Sequence, residues 1–305
     1  MSTLHGEVIE CQLDWLTGAV HTGHGTARLV RWARKLAEAE ETRESRIVPF
    51  RLCGYEGWHC GRISIGTRQA AGLLQLSGDL ARLHFDTLMG WLDNVSRLDL
   101  AVTVRLHPAD RGPGWRHYNE ALNWYQSHPK AARPSYHGDG DGGMTAYLGH
   151  RESDRYLRIY DKEMESGGDA LQREHYAGCW RYELETKGQT ASAVAAEVYA
   201  RGPDERVSLI RSIVHTYCAN HGIQPAFPAM GPASLVPGFR RRSDRQSRLT
   251  WLEKTVRPVV EWLGQTGDGE QALRALGLVP PNDAEIELRK SNLSHGGTNV
   301  DSSSL

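Results

Sequence analysis

The sequence of 305 residues lacks most of the features that mark secreted, zinc-bound or membrane-spanning proteins. Its five cysteines are an odd number and include no C-x-x-C pair, so neither a disulfide framework nor a structural zinc site is expected. No apolar run of about 18 residues occurs, which argues against a transmembrane helix. The N-terminal residues contain neither the basic nor the apolar stretch of a secretion signal. We therefore expect reduced thiols, a cytoplasmic location and no membrane partner.

The sequence also lacks a strong excess of charge of either sign. Its 36 Lys and Arg residues are balanced by 37 Asp and Glu residues, which gives a formal net charge of −1. This balance excludes a uniformly basic surface, although it is compatible with a local basic groove. Hydrophobic residues make up 39% of the chain, which is enough for a packed core.

Hydrophobic periodicity predicts alternating helices and strands along most of the chain. The clearest strand covers residues 97–106. Leu98, Leu100 and Val102 occupy every second position there, so they would lie on one face of an extended strand. Further strands are predicted over residues 8–20, 58–65, 72–76, 144–148, 156–160 and 180–187, and helices over 26–40, 85–94, 115–127, 190–199 and 207–220. The order of these elements suggests two β-α-β-type halves, the first of which ends near Leu106.

Changes in composition divide the chain into four predicted parts. Residues 1–95 form an N-terminal α/β half, and residues 96–222 form a second α/β half that carries the chemistry. Residues 223–290 begin with a proline-rich linker and continue into a basic helical region. The tail, residues 291–305, is rich in Ser, Gly and Asn, and we expect it to be disordered.

A tyrosine between two cations is the main candidate for chemistry. If residues 157–161 are extended, Arg158, Tyr160 and Lys162 share one face of the strand. The cations would favour the ionised phenol and hold phosphate oxygens, which suits a phenolate that attacks a phosphodiester. The alternative is a structural tyrosine whose ring packs in the core and whose hydroxyl makes a hydrogen bond.

Two acidic residues lie within other predicted strands. Asp99 shares a strand face with Arg97, and Glu183 shares one with Arg181. A carboxylate in an apolar strand is costly unless it is paired or binds a metal. Carboxylates that converge across a sheet would suit Mg²⁺ or Mn²⁺, which would polarise a phosphate. The alternative is a structural ion pair such as Arg97 with Glu183. Glu165 is either a third ligand or a solvated residue.

Several segments, taken together, resemble the replication initiation factor family. This family comprises rolling-circle initiators of small plasmids and filamentous phages, and relaxases of some conjugative elements. The resemblance extends over about residues 10–200, and its most specific part is the block Arg158-Ile159-Tyr160-Asp161-Lys162. The other segments are Leu13-Asp14-Trp15-Leu16, Gly54-Tyr55, Leu74-Gln75-Leu76-Ser77-Gly78, Arg97-Leu98-Asp99-Leu100-Ala101-Val102 and Arg181-Tyr182-Glu183-Leu184-Glu185.

The resemblance implies an α+β fold with a mainly antiparallel central sheet and flanking helices, to which this chain adds a helical C-terminal region. It implies a site-specific endonuclease and strand transferase that nicks and rejoins one DNA strand at an origin. Tyr160 matches the family's nucleophile, which forms a covalent 5′-phosphotyrosine, and Asp99 and Glu183 match acidic residues that serve with Mg²⁺ or Mn²⁺. The implied partner is single-stranded or melted origin DNA in a bacterial cytoplasm, with a host helicase and a homodimer as further expectations.

The sequence departs from the family's pattern at two positions, and two alternative functions stay open. Thr103 stands where many members carry a second acid, and His150 stands where a serine is common, so the metal shell is less complete. The alternatives are a relaxase of a conjugative element and a non-catalytic origin-binding protein. The presence of Tyr160, Asp99 and Glu183 together favours an enzyme, because a binding-only protein has no reason to combine them.

Basic and aromatic residues outside this set are candidates for DNA contact. The alternative for the basic residues is that they face solvent without binding DNA. The aromatic residues of the helix predicted over 115–127 are more simply explained by packing in the core. The predicted phosphate contacts are Arg28, Arg31, Lys35, Arg97, Arg181, Arg240, Arg241 and Arg242.

Overall fold

Ten strands form one antiparallel sheet in a computed structural model that describes residues 6–40, 46–107, 113–138, 143–165 and 170–230, with residues 257 and 261. The strands are β1 (Gly6–Val20), β2 (Val48–Leu52), β3 (Tyr55–Cys60), β4 (Ile63–Arg68), β5 (Ala71–Ser77), β6 (Asn94–Leu106), β7 (Ser135–His137), β8 (Thr145–Leu148), β9 (Arg155–Asp161) and β10 (Cys179–Lys187). Their order in the sheet is β2-β3-β4-β5-β1-β6-β10-β9-β8-β7. The predicted α+β fold with an antiparallel sheet is thus confirmed for these residues.

Helices connect the strands, and the longer ones contribute side chains to the core on one side of the sheet. The helices are α1 (Gly23–Glu40), α2 (Asp79–Met89), α3 (Pro113–Ser127), α4 (Lys162–Glu165), α5 (Ala170–His175), α6 (Gly188–Tyr199) and α7 (Pro203–Asn220). None of these described helices is long and apolar enough to span a membrane. The helical region predicted after residue 230 lies outside the described residues, apart from residues 257 and 261.

Two predicted elements differ from the structure, and both differ at a turn. Residues 58–65, predicted as one strand, form a hairpin of β3 and β4. Gly61 has a φ of +55° there, a conformation that glycine adopts without steric cost. The helix predicted over 85–94 is α2, which ends earlier because Gly90 caps it, so that Asn94 already belongs to β6.

The central strands have one apolar and one polar face. On β6 the apolar face carries Leu98, Leu100 and Val102, which are fully buried. The same hydrophobic core contains Leu29 of α1 and Val194 of α6, so these helices pack on the apolar face. Because successive strand residues point to opposite sides, the polar residues between them are collected on the other face.

The sheet runs through the predicted boundary between residues 95 and 96. That boundary falls inside β6, which pairs with β1 on one side and with β10 on the other. Part of the predicted linker also belongs to this structure: Ile223, Ala226 and Phe227 are buried in the core, and Ala226 accepts a backbone hydrogen bond from Gly6. The apolar side chains of these three residues pack in the hydrophobic core, which fixes this part of the predicted linker against the sheet.

Candidate active site

The register of three central strands places the predicted residues side by side on the polar face. Glu183 of β10 lies opposite Arg158 of β9, and Glu185 lies opposite Asp99 of β6. Tyr160 lies next along β9, opposite Arg181. Paired residues of antiparallel strands point to the same side of the sheet. The structure therefore brings Tyr160, Arg158, Glu183 and Asp99 together.

Tyr160 is joined to Glu183 by a hydrogen bond. Its hydroxyl donates to Oε2 of Glu183 over 2.9 Å, and Arg158 forms an ion pair with Oε1 of the same carboxylate. Tyr160 is 7% exposed and Glu183 is 1% exposed. The Nε of Arg158 is buried and has no hydrogen-bond acceptor in the described part of the chain. The carboxylate is thus shared between a cation and the phenol.

Burial reverses the effect that the flanking cations were expected to have on the phenol. Burial, and next the charge of Glu183, raise the pKa of Tyr160 well above its ordinary value of 10.0. The pKa of Glu183 is lowered instead: burial acts to raise it, but the ion pair with Arg158 and the hydrogen bond from Tyr160 outweigh burial. The expectation of a stabilised phenolate is therefore wrong for this structure, which pairs a neutral phenol with an ionised carboxylate.

Lys162 and Glu165 do not occupy the positions that an extended strand would give them. β9 ends at Asp161, and Lys162 is the first residue of α4. Its Nζ lies 6.0 Å from the centre of the Tyr160 ring and forms an ion pair with Glu165. The Glu165 side chain is 50% exposed. The two residues are bound to each other because α4 places them three positions apart on one helical turn.

Asp99 forms a two-pronged ion pair with Arg97. Nε and Nη2 of Arg97 donate to the two carboxylate oxygens over 2.9 and 2.6 Å, and Nη2 also lies 3.0 Å from Glu185. Arg97 is therefore paired with Asp99 and Glu185. The structural alternative had paired it with Glu183 instead. Burial raises the pKa of Asp99 to about 7 although Arg97 opposes this shift.

The raised pKa of Asp99 predicts a pH-dependent stability. In the folded chain Asp99 keeps its proton up to about pH 7, whereas its ordinary pKa is 3.8. Because the folded state then binds more protons, the free energy of unfolding should fall as the pH rises between these values, by at most about 1.4 kcal/mol per pH unit. The pKa of Glu183 is lowered, so its titration changes the free energy of unfolding only at more acidic pH.

The variant Asp99→Asn should lack the part of the pH dependence that the Asp99 carboxyl contributes to the free energy of unfolding. Urea unfolding of the parent and the variant at pH 4 to 8 measures the difference between their free energies of unfolding. We expect this difference to change steadily across the window and to level off above pH 7. A difference that stays constant from pH 4 to pH 8 would contradict the assignment.

Arg181 is a buried cation, and each of its three guanidinium nitrogens contacts an acceptor of the protein. It is 3% exposed, and its guanidinium binds Glu10, Asp14 and Thr103 over distances of 2.7, 3.1 and 2.9 Å. Thr103, which replaces an acid of the family's pattern, is one of these partners. The contacts give Arg181 a role within the protein, and its predicted contact with DNA stays a prediction.

Sequence reasoning did not single out Glu10 and Asp14. Asp14 reaches the polar face by the same alternation that places Glu10 and Gln12 there, because Leu13 lies opposite the buried Leu100 of β6. The register of β1 against β6 then shifts between Leu13 and Trp15, and this bulge places Trp15 on the polar face as well, opposite Asp99. The signal available in the sequence was the alternation of Glu10, Gln12 and Asp14 along the first strand.

A polar cavity of about 470 Å³ lies beside these residues. Asp14, Arg181 and Lys162 line it from the side of the sheet, and Tyr176 lines it from the end of α5. The Tyr176 hydroxyl donates to Glu10 over 2.8 Å, and burial together with Glu10 raises the pKa of Tyr176 to about 12. The cavity is therefore lined by charged and hydrogen-bonding side chains near Tyr160, which contact one another in this structure.

The predicted metal ligands are only partly assembled. Among the described residues, no three His, Cys, Asp or Glu side chains are grouped as a metal site would require. The charge of Glu183 contributes to the raised pKa of Asp99, whereas Glu165 forms an ion pair with Lys162. Two carboxylates are compatible with Mg²⁺, which commonly takes one or two protein carboxylates and completes its shell with water and substrate phosphate.

The basic residues of α1 do not reach this site. α1 packs on the apolar face of the sheet, whereas Tyr160 belongs to the polar face. Arg28, Arg31 and Lys35 are exposed, and the guanidinium of Arg28 lies 3.8 Å from the ring centre of Trp91. Their DNA contacts stay predictions for another surface. Arg240, Arg241 and Arg242 lie outside the described residues.

Comparison with known proteins supports the predicted resemblance. Residues 115–222 match the family model described as replication initiation factor. The resemblance to this family is thus confirmed. The matched segment contains Tyr160, Arg158 and Glu183, whereas Asp99 precedes it. A solved structure of a rolling circle replication initiator protein from Geobacillus stearothermophilus is 19% identical, with a TM-score of 0.43, over 69% of this chain and 84% of that one. No curated protein matches the chain.

Proposed function

We propose that this protein is a rolling-circle replication initiator that nicks one strand of origin DNA through Tyr160. The observation that carries the proposal is the hydrogen bond from the Tyr160 hydroxyl to Glu183, in the segment that matches the family. A tyrosine poised against a buried carboxylate has the partner that a phenol nucleophile needs.

In the proposed step the Tyr160 oxygen attacks the scissile phosphorus. A bond forms between this oxygen and phosphorus, and the bond from phosphorus to the 3′ oxygen breaks. The phenolic proton passes to Glu183, and the departing 3′ oxygen takes up a proton from water. The product is a 5′-phosphotyrosine, and attack by a 3′ hydroxyl on this ester rejoins the strand and releases Tyr160. The ester retains the bond energy for that second step.

Glu183 is the proton acceptor of this step. The pKa of Tyr160 is raised by burial, so a phenolate is not available in advance and the proton must leave during the attack. Glu183 is ionised because its pKa is lowered by Arg158 against the effect of burial. Arg158 thus acts as a positioning residue that holds the carboxylate against the phenol.

The variant Glu183→Gln tests this role. Glutamine is nearly isosteric and can still accept the hydrogen bond, but it cannot take the proton, so nicking should slow by about 10²- to 10⁴-fold. The rate of adduct formation is measured as a function of pH. The loss should become smaller at high pH, where hydroxide can remove the phenolic proton. An equal rate in parent and variant would contradict the role of Glu183.

We also propose that the reaction needs Mg²⁺ or Mn²⁺, with Asp99 and Glu183 as the protein ligands. The ion, when bound, would polarise the scissile phosphate. An ion held by Glu183 would lie beside the phosphate that Tyr160 attacks, because the same carboxylate contacts the phenol. The host helicase, the homodimer and the bacterial cytoplasmic location stay predictions.

The test is a search for the covalent adduct. The protein is incubated with single-stranded oligonucleotides that tile the DNA flanking its gene, each labelled at one end, with Mn²⁺ or with EDTA. Label at the 3′ end should stay with the protein after denaturation, whereas label at the 5′ end should be released. EDTA should prevent both products. Adducts that carry only the 5′ label would contradict the proposed polarity, and activity in EDTA would contradict the metal.

A further inference from the structure

Two further tyrosines lie on the polar face beside Tyr160. Tyr156 precedes it on β9, and because side chains alternate, Tyr156, Arg158 and Tyr160 share one face. Tyr147 of β8 lies directly opposite Arg158 and points to the same side. Four residues of an extended strand span about 13 Å, so Tyr156 and Tyr160 are within reach of one short segment of DNA.

The rings of Tyr147 and Tyr156 are stacked on each other. Their centres are 5.7 Å apart and their planes differ by 18°, and His137 meets Tyr147 edge-on at 5.3 Å. Both tyrosines are partly exposed. Neither belongs to the hydrophobic core, in contrast to Tyr118 and Tyr136, which pack against it from the other side of the sheet. Core packing therefore does not explain this pair.

The tyrosine pair has cations beside it. Arg158 lies between Tyr156 and Tyr160 on the same face of β9 and directly opposite Tyr147 of β8. Burial raises the pKa of Tyr156, and the charges of Arg151 and Arg158 act in the opposite direction. The acidic neighbour, Glu185, is already engaged by Arg97 and Lys187 over 3.0 and 2.7 Å. Stacked aromatic rings next to cations are the combination that binds single-stranded nucleic acid, because the rings take bases and the cations take phosphates.

We infer that Tyr147 and Tyr156 form a base-stacking site for unpaired DNA next to the phosphate that Tyr160 attacks. The inference rests on the proposed function for the identity of its ligand. Duplex DNA does not fit the site, because its bases are stacked on one another and their faces are not available. The tyrosine pair therefore selects DNA whose strands are already separated next to the phosphate that Tyr160 attacks.

The test measures binding without cleavage, in EDTA, by fluorescence anisotropy. The probes are a labelled single-stranded dT 12-mer and a 12-mer of the same backbone with abasic positions. The parent should bind the dT 12-mer about tenfold more tightly than the abasic one, the loss expected when one base–aromatic stack is removed. Tyr147→Ala and Tyr156→Ala should each remove most of this preference and change abasic binding little.

Matched variants separate stacking from loss of structure. Tyr147→Phe and Tyr156→Phe keep the rings and should keep the preference for dT. Tyr199→Ala removes a tyrosine that is 44% exposed on α6, at the apolar side of the sheet, and should bind both probes like the parent. The inference is overturned if the alanine variants bind dT like the parent, or if they lose affinity equally for both probes. The binding assay does not depend on Tyr160, so the adduct assay can fail while this inference stands.

Discussion

Replacing Tyr160 with phenylalanine should abolish nicking and the covalent adduct. The loss in rate should reach about 10⁴-fold or more, as for other enzymes from which the nucleophile has been removed. Phenylalanine keeps the ring but has no oxygen to attack the phosphorus. The ion pair of Arg158 with Glu183 does not depend on the hydroxyl, so the buried carboxylate keeps a partner and the fold should be retained.

The adduct assay with 3′-labelled DNA measures this loss, and circular dichroism checks the fold. Tyr199→Phe is the matched control, because it makes the same change on α6, away from the polar face. It should nick at the parental rate. Adducts formed by Tyr160→Phe as fast as by the parent would overturn the proposed mechanism, and peptide mapping of such an adduct would then identify the true nucleophile.

Replacing Arg181 with methionine should cause the largest loss of stability. Methionine has a similar length, but it leaves Glu10 and Asp14 without their cation and Thr103 without a donor. Removing one partner of a buried ion pair commonly costs 3 to 5 kcal/mol, and because these two carboxylates are about one-fifth exposed we expect about 3 kcal/mol. Urea unfolding gives the free energy of unfolding.

Three further variants make this prediction specific. Arg34→Met removes a cation from an exposed pair with Glu38, which should cost less than about 1 kcal/mol. Arg181→Lys keeps the charge and should lose less than Arg181→Met. Adding Glu10→Gln and Asp14→Asn to the methionine variant should restore part of the stability, because the uncompensated charges are gone. A methionine variant as stable as the parent would show that Arg181 is not needed to neutralise the two acids.

The sequence predicted the strands well because their patterns are local. The alternation around Leu98, Leu100 and Val102 requires only neighbouring residues, and the same alternation placed Asp99 on the polar face. Lys162 was misplaced because the pattern does not show where β9 ends and a helix begins. Strand ends depend on turns and on packing, which are less regular than the alternation itself.

The electrostatics of the site could not be predicted in the same way. The sequence shows that Arg158 flanks Tyr160, but it does not show that Glu183 already engages this arginine. Burial then decides the pKa of the phenol, and burial is a property of the whole fold. The partners of Arg181 were missed for a related reason. The alternation places Glu10 and Asp14 on one face of β1, but it does not show that Arg181 of β10 reaches them across β6.

The contact between Arg181 and Glu10 joins residues that are 171 positions apart in the chain. During synthesis β1 emerges first, and β10 emerges only after the residues of Tyr160 and Arg158 have been made. The site around Tyr160 is therefore incomplete in any nascent or truncated chain that lacks either strand. A fragment that carries Tyr160 alone has neither the neutralised acids nor the positioned carboxylate, so the proposed nicking would be confined to chains that contain both strands.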